Sequence, residues 1–237
     1  MKFETRAVIS TEDLTCVMFD MDNTLFDFVE AKTRACQEIV NHIGCGEALD
    51  LFQYFRRPGR GFENWNNIQD YMSDIGVFSQ SIYDECCQIY EIEKLKAVDP
   101  YPNAIPTIQK LKEMGLKIAI LTDAHSTNAK KRVEKIGISH WLDALFCADI
   151  TGSSKPSHKT FLFALESLEL QPRETLFVGD SLRRDIVPSK TLGMLTAYAA
   201  YGDRNNDRYN QHETASPDFI LNNISEILDI IEPGKRA

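Results

Sequence analysis

Residues 20–24 (Asp-Met-Asp-Asn-Thr) constrain this chain more than any other stretch. The uncharged run at residues 16–19 leads directly into Asp20 and Asp22, and a hydroxyl follows at Thr24. A short apolar run bounded by a polar cluster is typical of a buried strand. In open α/β sheets, ligands bind just beyond the carboxyl ends of such strands. Two carboxylates this close repel each other unless a cation, a proton or solvent separates them. The stretch is therefore either a ligand site or a solvated surface turn.

Composition favours a soluble globular protein with one large domain, or with one domain and an insertion. The chain has 237 residues, of which 43% are hydrophobic and 26% charged. Its net charge of -9 argues against nucleic acid or an anionic membrane as the main partner, but not against a small anion drawn to a local positive site. No apolar run is long enough to span a membrane, and residues 2–12 contain no apolar signal region. A cytoplasmic location is expected.

The six cysteines are predicted to be reduced thiols rather than disulfides or metal ligands. None of them forms a C-x-x-C pair with metal-site spacing, and a chain of this length needs no disulfides to hold its core. Most of them fall at apolar positions of the predicted elements, where a thiol behaves as a small hydrophobic group.

A helical segment follows the opening strand, which is expected at residues 15–20. Apolar residues recur there at helical spacing, and no strand is indicated before residue 98. The helices are expected at residues 27–44, 47–55, 62–74 and 79–97. Two prolines and an aspartate at residues 99–102 are typical of a rigid linker or hinge. We therefore predict a small all-helical cap domain at residues 27–97, inserted into a core domain made of residues 1–26 and 98–237.

Helices and strands alternate from residue 103 onward. Further strands are expected at residues 118–121, 145–147, 176–178, 195–199 and 219–221. This alternation predicts an α/β fold, a Rossmann-like parallel sheet with helices on both faces. At the margins, residues 2–10 predict an extra strand or an ordered arm. Residues 202–216 predict a mobile loop, and the end of the chain from Pro233 a frayed tail.

Polar residues follow four of the predicted strands at the points where they end. Since the carboxyl ends of parallel strands lie at one edge of a sheet, these groups can share a small volume. In chain order they are Asp20 and Asp22, Thr122 and Asp123, Ser153, Ser154 and Lys155, and finally Gly179, Asp180, Ser181 and Asp185.

This set of groups suits only a narrow range of chemistry. Several carboxylates without a set of His or Cys ligands suit a hard cation such as Mg²⁺ rather than zinc. A hydroxyl, a lysine and backbone N–H groups suit a phosphate. One carboxylate can attack phosphorus to form an aspartyl phosphate, and a second can protonate the leaving oxygen and then activate water.

These motifs, in this order, resemble those of the haloacid dehalogenase-like hydrolase superfamily, specifically its phosphatases with a helical cap inserted after the first motif. Residues 20–24 match the first motif, and the apolar strand at residues 118–122, which ends in Thr, matches the second. The Lys-Pro pair at residues 155–156 matches the third motif. Gly179-Asp180, with Asp185 downstream, matches the fourth. The resemblance covers residues 15–231, approximately.

The resemblance implies a role for each matching residue. Asp20 is expected to be the nucleophile and a Mg²⁺ ligand, and Asp22 the general acid/base, which also offers its backbone carbonyl to the metal. The phosphate would be held by Thr122, Asp123 and Lys155. The metal site would be completed by Asp180 and Asp185, directly or through water.

The resemblance implies a Mg²⁺-dependent phosphatase that acts on a small phosphorylated metabolite. Asp22 argues against a dehalogenase, because the halide-displacing members of the superfamily lack an acid at that position. Two alternatives stay open: a phosphotransferase or phosphomutase of the same superfamily, and a catalytically silent phosphate-binding protein. The sequence does not distinguish a monomer from a homodimer.

Arg56, Arg57 and Arg60 form a tight positive cluster within the predicted cap. One interpretation is a set of solvated cations at a helix C-terminus, where they interact favourably with the helix dipole. The other is that one of them contacts an anionic part of the substrate and contributes to specificity.

Overall fold

The computed structural model describes residues 13–204 and 216–231. The predicted arm at residues 2–10, the predicted tail from Pro233 and residues 205–215 of the predicted loop lie outside these ranges. Packing divides the chain into two compact units. We call them the core unit (residues 1–25, 100–130 and 137–237, as far as described) and the helical unit (residues 26–99 and 131–136). The division into a core domain and a cap at residues 27–97 stays a prediction.

The core unit contains a fully parallel sheet of six strands, in the order β3-β2-β1-β4-β5-β6. The strands are β1 (Cys16–Phe19), β2 (Lys117–Thr122), β3 (Ala144–Cys147), β4 (Thr175–Gly179), β5 (Leu195–Ala199) and β6 (Phe219–Leu221). In this register Phe19 lies beside Ile120 on one side and Val178 on the other. The predicted fold class, a Rossmann-like α/β sheet with helices, is confirmed.

Ten α-helices lie within the described ranges. They are α1 (Phe28–Ile43), α2 (Ala48–Arg56), α3 (Asn66–Asp74), α4 (Gln80–Lys96), α5 (Ala104–Glu113), α6 (Ser126–Lys135), α7 (Ala148–Thr151), α8 (His158–Ser167), α9 (Val187–Thr191) and α10 (Glu226–Ile231). Short 3₁₀ turns occur at Ser139–Trp141 and Pro172–Glu174. A π-helical turn, Leu182–Ile186, runs directly into α9.

Strand β1 is the centre of the sheet, which explains its apolar sequence. All four of its residues have no exposed surface, because β2 and β4 cover its edges and packed side chains cover its faces. On one face, Met18 belongs to a cluster with Phe177 of β4 and Phe161 of α8. The chain leaves β1 for β2 on one side and β4 on the other, so the strand order reverses here. Ligands of open α/β sheets bind at such a switch point.

The helical unit has a hydrophobic core of its own. It is built from α1 to α4 and includes the aromatic residues Phe52, Phe55, Tyr71 and Tyr90. Helix α1 begins at an Asp27 cap, whose side chain accepts a hydrogen bond from the backbone of Glu30 at 2.9 Å. It ends at Gly44, which has a φ of 72°.

The helix predicted from residue 62 begins only at Asn66, so the prediction is wrong over residues 62–65. The side-chain amide of Asn67 donates to the carbonyl oxygens of Gly61 and Asn64, at 3.0 and 2.8 Å. These bonds hold residues 61–65 in turns, and they replace the backbone bonds that a longer helix would have formed.

All six cysteines are free thiols; five are buried and Cys45 is exposed. Burial raises the pKa of Cys16 and that of Cys36 to about 12, so both thiols stay protonated at neutral pH. Within the described residues, no helix has both the length and the apolar character that a membrane span requires.

Candidate active site

Asp20 is the first residue beyond the carboxyl end of β1, and it is almost fully buried. Its backbone N–H donates to the carbonyl of Val178 at 2.8 Å, which extends the pairing of β1 with β4 by one residue. Its carboxylate is held from two sides. Lys155 Nζ lies 2.5 Å from Oδ1, and the Thr24 hydroxyl lies 3.4 Å from Oδ2. The aspartate is thereby fixed at the switch point of the sheet.

Lys155 also binds Asp185, with Nζ 2.7 Å from Oδ1 of that carboxylate. The other oxygen of Asp185 accepts the backbone N–H of Ser181 at 3.0 Å. A Cβ atom added at Gly179 would lie 2.6 Å from the Asp185 side chain, so glycine is needed where this carboxylate packs against β4. Burial lowers the pKa of Lys155, but the charges of Asp185 and Asp20 outweigh it and raise the pKa above its usual value. The ammonium therefore stays charged.

The π-helical turn presents Asp185 toward Lys155. The backbone N–H groups of Asp185 and Ile186 both donate to the Ser181 carbonyl, at 2.9 and 3.2 Å. Pro188 then falls in the first turn of α9, where a missing N–H costs nothing. The helical stretch after β4 therefore consists of two segments, and π turns are often found at functional sites.

Asp180 is the carboxylate of this cluster that has no partner among the described residues. Its carboxylate has no exposed surface, and neither oxygen has a hydrogen-bond partner among the described residues. Asp20, Asp180 and Asp185 each place one carboxylate oxygen within 4.8 Å of those of the other two. Burial and then the charges of Asp20 and Asp185 raise the pKa of Asp180 well above its usual value. Three buried carboxylates around one lysine are a donor set that fits a hard divalent cation such as Mg²⁺.

Thr122 and Asp123 follow β2 and lie in the same unit as this cluster. The buried hydroxyl of Thr122 accepts the N–H of Ala124 at 3.2 Å, which leaves its own proton free for an anion. Both oxygens of Asp123 are engaged, one by the backbone N–H of Lys155 at 2.8 Å and the other by Arg184 at 3.2 Å. This carboxylate therefore ties two loops together, and a role of Asp123 in holding a phosphate stays a prediction.

The loop that carries Asp22 is anchored by the segment after β5. Tyr201 donates its hydroxyl to the carbonyl of Thr24 at 2.8 Å. A Cβ atom added at Gly202 would lie 1.6 Å from the carbonyl oxygen of Asn23, so the two backbones meet directly. Asn23 has a φ of 62°, the left-handed conformation that asparagine tolerates better than most residues. Asp22 itself is half-buried.

The arginine cluster lies in the helical unit, and two of its members share one acid. Arg57 and Arg60 lie 2.7 and 3.1 Å from the same oxygen of Asp70. The guanidinium of Arg57 also stacks on Tyr54, 4.1 Å from the centre of the ring. Arg56 is exposed. A role of these arginines in specificity stays a prediction.

Sequence reasoning missed Arg184, Tyr201 and Gly202. Arg184 directly precedes Asp185 in the fourth motif, and that adjacency is the signal that could have found it. Tyr201 and Gly202 carry no local signal, because their partners lie about 180 positions earlier.

A buried carboxylate and a lysine at the switch point of a parallel sheet, beside an acidic cluster that fits a metal, define a class of α/β hydrolases. The sequence model of the haloacid dehalogenase-like hydrolases matches residues 14–193. The chain belongs to this family.

The relatives of the chain include phosphatases of small metabolites. It is 28% identical to a glyceraldehyde 3-phosphate phosphatase of Methanocaldococcus jannaschii, over 93% of this chain and 98% of that protein. It is 23% identical to a phosphoglycolate phosphatase of Neisseria meningitidis, over 94% of this chain and 96% of that protein. The predicted enzyme class, a hydrolase of phosphoric monoesters, is confirmed.

Among solved structures, the chain is similar to the putative hydrolase YfnB from Bacillus subtilis, which was crystallised bound to magnesium. The TM-score is 0.69 at 18% identity, and the match covers 92% of this chain and 99% of that one. At this identity the likeness shows the fold alone.

Proposed function

We propose that this protein is a Mg²⁺-dependent phosphatase that hydrolyses a small phosphomonoester through an aspartyl phosphate on Asp20. The observation that carries the proposal is the carboxylate of Asp180, which is fully buried, has no donor among the described residues and lies beside Asp20 and Asp185. Leaving a buried charge without a partner costs several kcal/mol, of order 3–5. The unpartnered carboxylate of Asp180 at the carboxyl end of β4 is best explained by a cation that binds there during function.

Each side chain then has a role that fits its position. Asp20, Asp180 and Asp185 would hold the ion, with the backbone carbonyl of Asp22. When bound, Mg²⁺ supplies positive charge that offsets the repulsion between the attacking carboxylate and the phosphate. Without such compensation, two unit charges at about 4 Å cost roughly 4 kcal/mol at an effective dielectric constant near 20.

The reaction proceeds in two displacements. A carboxylate oxygen of Asp20 attacks phosphorus, the bond to the leaving oxygen breaks, and Asp22 donates its proton to that oxygen. Asp22, now ionised, takes a proton from water, which attacks phosphorus and releases inorganic phosphate and free Asp20. Throughout, the Lys155 ammonium and the Thr122 hydroxyl hold the phosphoryl oxygens.

The substrate that we propose is a phosphorylated acid or aldehyde of two or three carbons. The proposal draws on the relatives that act on phosphoglycolate and on glyceraldehyde 3-phosphate. A panel of such esters, assayed for released phosphate, would rank the candidates.

A simple assay tests the reaction type. Purified protein should hydrolyse p-nitrophenyl phosphate with Mg²⁺ and should lose that activity in excess EDTA. Phosphate binding without turnover would instead favour the silent binding protein. Transfer of the phosphoryl group to a sugar phosphate, rather than to water, would favour the phosphotransferase or mutase.

A further inference from the structure

Arg184 is a second cation in the core unit, placed directly before Asp185. Its backbone N–H donates to the Ser181 hydroxyl at 3.2 Å, which fixes it in the π-helical turn. One terminal nitrogen of its guanidinium donates to Oδ2 of Asp123 at 3.2 Å. About one third of the side chain, 33%, is exposed to solvent. The group is therefore held at one end and accessible.

Most of the donors of this guanidinium are unused. A guanidinium has five N–H donors in a rigid fork. Asp123 is its only side-chain partner among the described residues. Burial lowers the pKa of Arg184, but the charges of Asp185 and then Asp20 outweigh it and keep the pKa above its usual value. Neither carboxylate forms an ion pair with Arg184 in the described structure, so a small anion can use the open side of the fork.

Lys155 cannot satisfy a phosphoryl group alone. An ammonium has three donors, and Asp20 and Asp185 already take two of those of Lys155. The phosphoryl group has three non-bridging oxygens, and the Thr122 hydroxyl provides one further donor. A second cation with unused donors would complete this set, and Arg184 is such a cation among the described residues near Asp20.

The charges around the nucleophile lead to the same conclusion. Four carboxylates (Asp20, Asp123, Asp180 and Asp185) lie close to two cations (Lys155 and Arg184), and their formal net charge is −2. A divalent metal brings this charge to 0, and without Arg184 it would be −1. A phosphate dianion approaching this site is repelled less because Arg184 is present.

We propose that Arg184 binds the phosphoryl group of the substrate as a second fixed cation beside Lys155, and that Asp123 is the residue that positions Arg184. This inference rests on the proposed phosphatase function, because it names a further ligand of the phosphate in the same site. In this proposal Arg184 contacts the phosphoryl group that is transferred, so its contribution to substrate binding is the same for every phosphomonoester.

The test measures the binding of inorganic phosphate by isothermal titration calorimetry, with Mg²⁺ present and no turnover. In Arg184→Gln, Kd should rise about 10- to 100-fold, as expected for lost hydrogen bonds to a charged group. Arg184→Lys should recover part of the loss. Arg183→Gln is the matched control, because Arg183 is the exposed neighbour in the same turn, and its Kd should stay at the wild-type value.

Kinetics and a double mutant separate binding from structural support. In Arg184→Gln, kcat/KM should fall by one common factor for p-nitrophenyl phosphate and phosphoglycolate, with an unchanged Tm. Asp123→Asn should raise the phosphate Kd, and the double variant should bind no more weakly than Arg184→Gln alone.

Three results would overturn the proposal. They are an unchanged phosphate Kd in Arg184→Gln, an equal rise of the phosphate Kd in Arg183→Gln, and a fall of kcat/KM for only one of the two substrates in Arg184→Gln. The phosphate Kd also separates this inference from the proposed function. Failure to hydrolyse any phosphomonoester would refute the phosphatase, whereas the phosphate Kd reports on Arg184 without turnover.

Discussion

The ammonium of Lys155 lies 2.5 Å from Oδ1 of Asp20, a residue 135 positions earlier in the chain. It also contacts Asp185 at 2.7 Å, and all three groups are buried. Two of the three clustered carboxylates thus share one cation, while Asp180 beside them has no donor in the described structure. Because their partners differ, substitutions of Asp180 and Asp185 should change the stability of the protein in opposite directions.

Asp180→Asn should make the protein more stable in the absence of divalent metal. The substitution replaces a buried carboxyl group without a partner by an amide of nearly the same volume. Because the pKa of Asp180 is raised, folding without metal requires either a buried charge or the uptake of a proton, and the amide avoids both. We expect the free energy of unfolding in EDTA to rise by about 1–3 kcal/mol, measured by urea denaturation. The stabilisation by Mg²⁺, seen as a higher Tm in the wild type, should be lost.

Asp185→Asn is the matched control for that substitution. Asp185 accepts from Lys155 and from the N–H of Ser181, so its loss should lower the free energy of unfolding in EDTA. If both variants shift stability in the same direction, the difference in partners between the two aspartates has no energetic consequence.

Lys155→Met should lower stability and abolish turnover together. It leaves Asp20 and Asp185 without their shared cation, and breaking a buried pair typically costs about 3–5 kcal/mol. Added Mg²⁺ should restore part of the stability, because the ion can replace some of the lost positive charge, but it should not restore activity. Denaturation with and without Mg²⁺ measures the first effect, and p-nitrophenyl phosphate hydrolysis the second.

Lys32→Met should stabilise the helical unit. Lys32 is fully buried. Among the described residues, the partners of its ammonium are the carbonyl of Phe62 and four aromatic rings, those of Phe28, Phe52, Phe55 and Phe62. Burial lowers its pKa to about 7, although the charge of Glu63 acts in the opposite direction. A methionine fills nearly the same volume without a charge, so we expect unfolding to cost about 1–4 kcal/mol more at pH 7.

The gain from Lys32→Met should depend on pH with a defined sign. Between pH 7 and about 10.5, an unfolded lysine binds a proton that folded Lys32 has lost, so wild-type stability rises with pH across this window. The destabilisation is complete below pH 7 and disappears near pH 10.5. The stability difference between variant and wild type should therefore shrink from pH 7 to pH 10, by at most about 1.4 kcal/mol per pH unit.

Lys94 is the matched control for Lys32, because it is equally buried but lies 3.1 Å from Glu63 and 2.8 Å from Glu91. Lys94→Met should destabilise the protein, since it leaves Glu63 and Glu91 without this cation. A stabilising Lys94→Met, or a destabilising Lys32→Met, would show that the carboxylate partners do not decide the outcome.

Gly202→Ala should impair catalysis through the backbone rather than through a lost side chain. The added Cβ would meet the Asn23 carbonyl at 1.6 Å, so the loop between Asp20 and Thr24 must shift. A displacement of about 1 Å at a catalytic carboxylate can cost on the order of 100-fold in rate. We expect kcat to fall far more than KM rises; wild-type kcat would show that this contact does not position the loop.

The strands and the order of the motifs could be predicted from the sequence, because buried parallel strands leave long apolar runs. The run before Asp20 and the run before Thr122 are examples. That the polar side chains after these strands lie close together could be predicted from topology alone, since every parallel strand ends at the same edge of the sheet.

What could not be predicted depends on contacts between distant residues. One example is the contact of the Asp123 carboxylate with Arg184, which lies 61 positions later in the chain. The π-helical turn replaces a smooth helix because the Ser181 carbonyl accepts two N–H groups. Three of the rings around Lys32 belong to Phe52 and Phe55 of α2 and to Phe62, and the spacing of charges along the chain does not indicate these contacts.

The central claim is that the phosphoryl group is transferred to Asp20. With p-nitrophenyl phosphate, whose leaving group needs no proton, Asp22→Asn should slow mainly the breakdown of the intermediate. Acid quenching during turnover, followed by borohydride reduction and peptide mass spectrometry, should then find homoserine at position 20. Asp20→Asn should show neither the modification nor turnover, although its circular dichroism spectrum should show an intact fold. Continued hydrolysis by Asp20→Asn, or a modification at another carboxylate, would contradict the account.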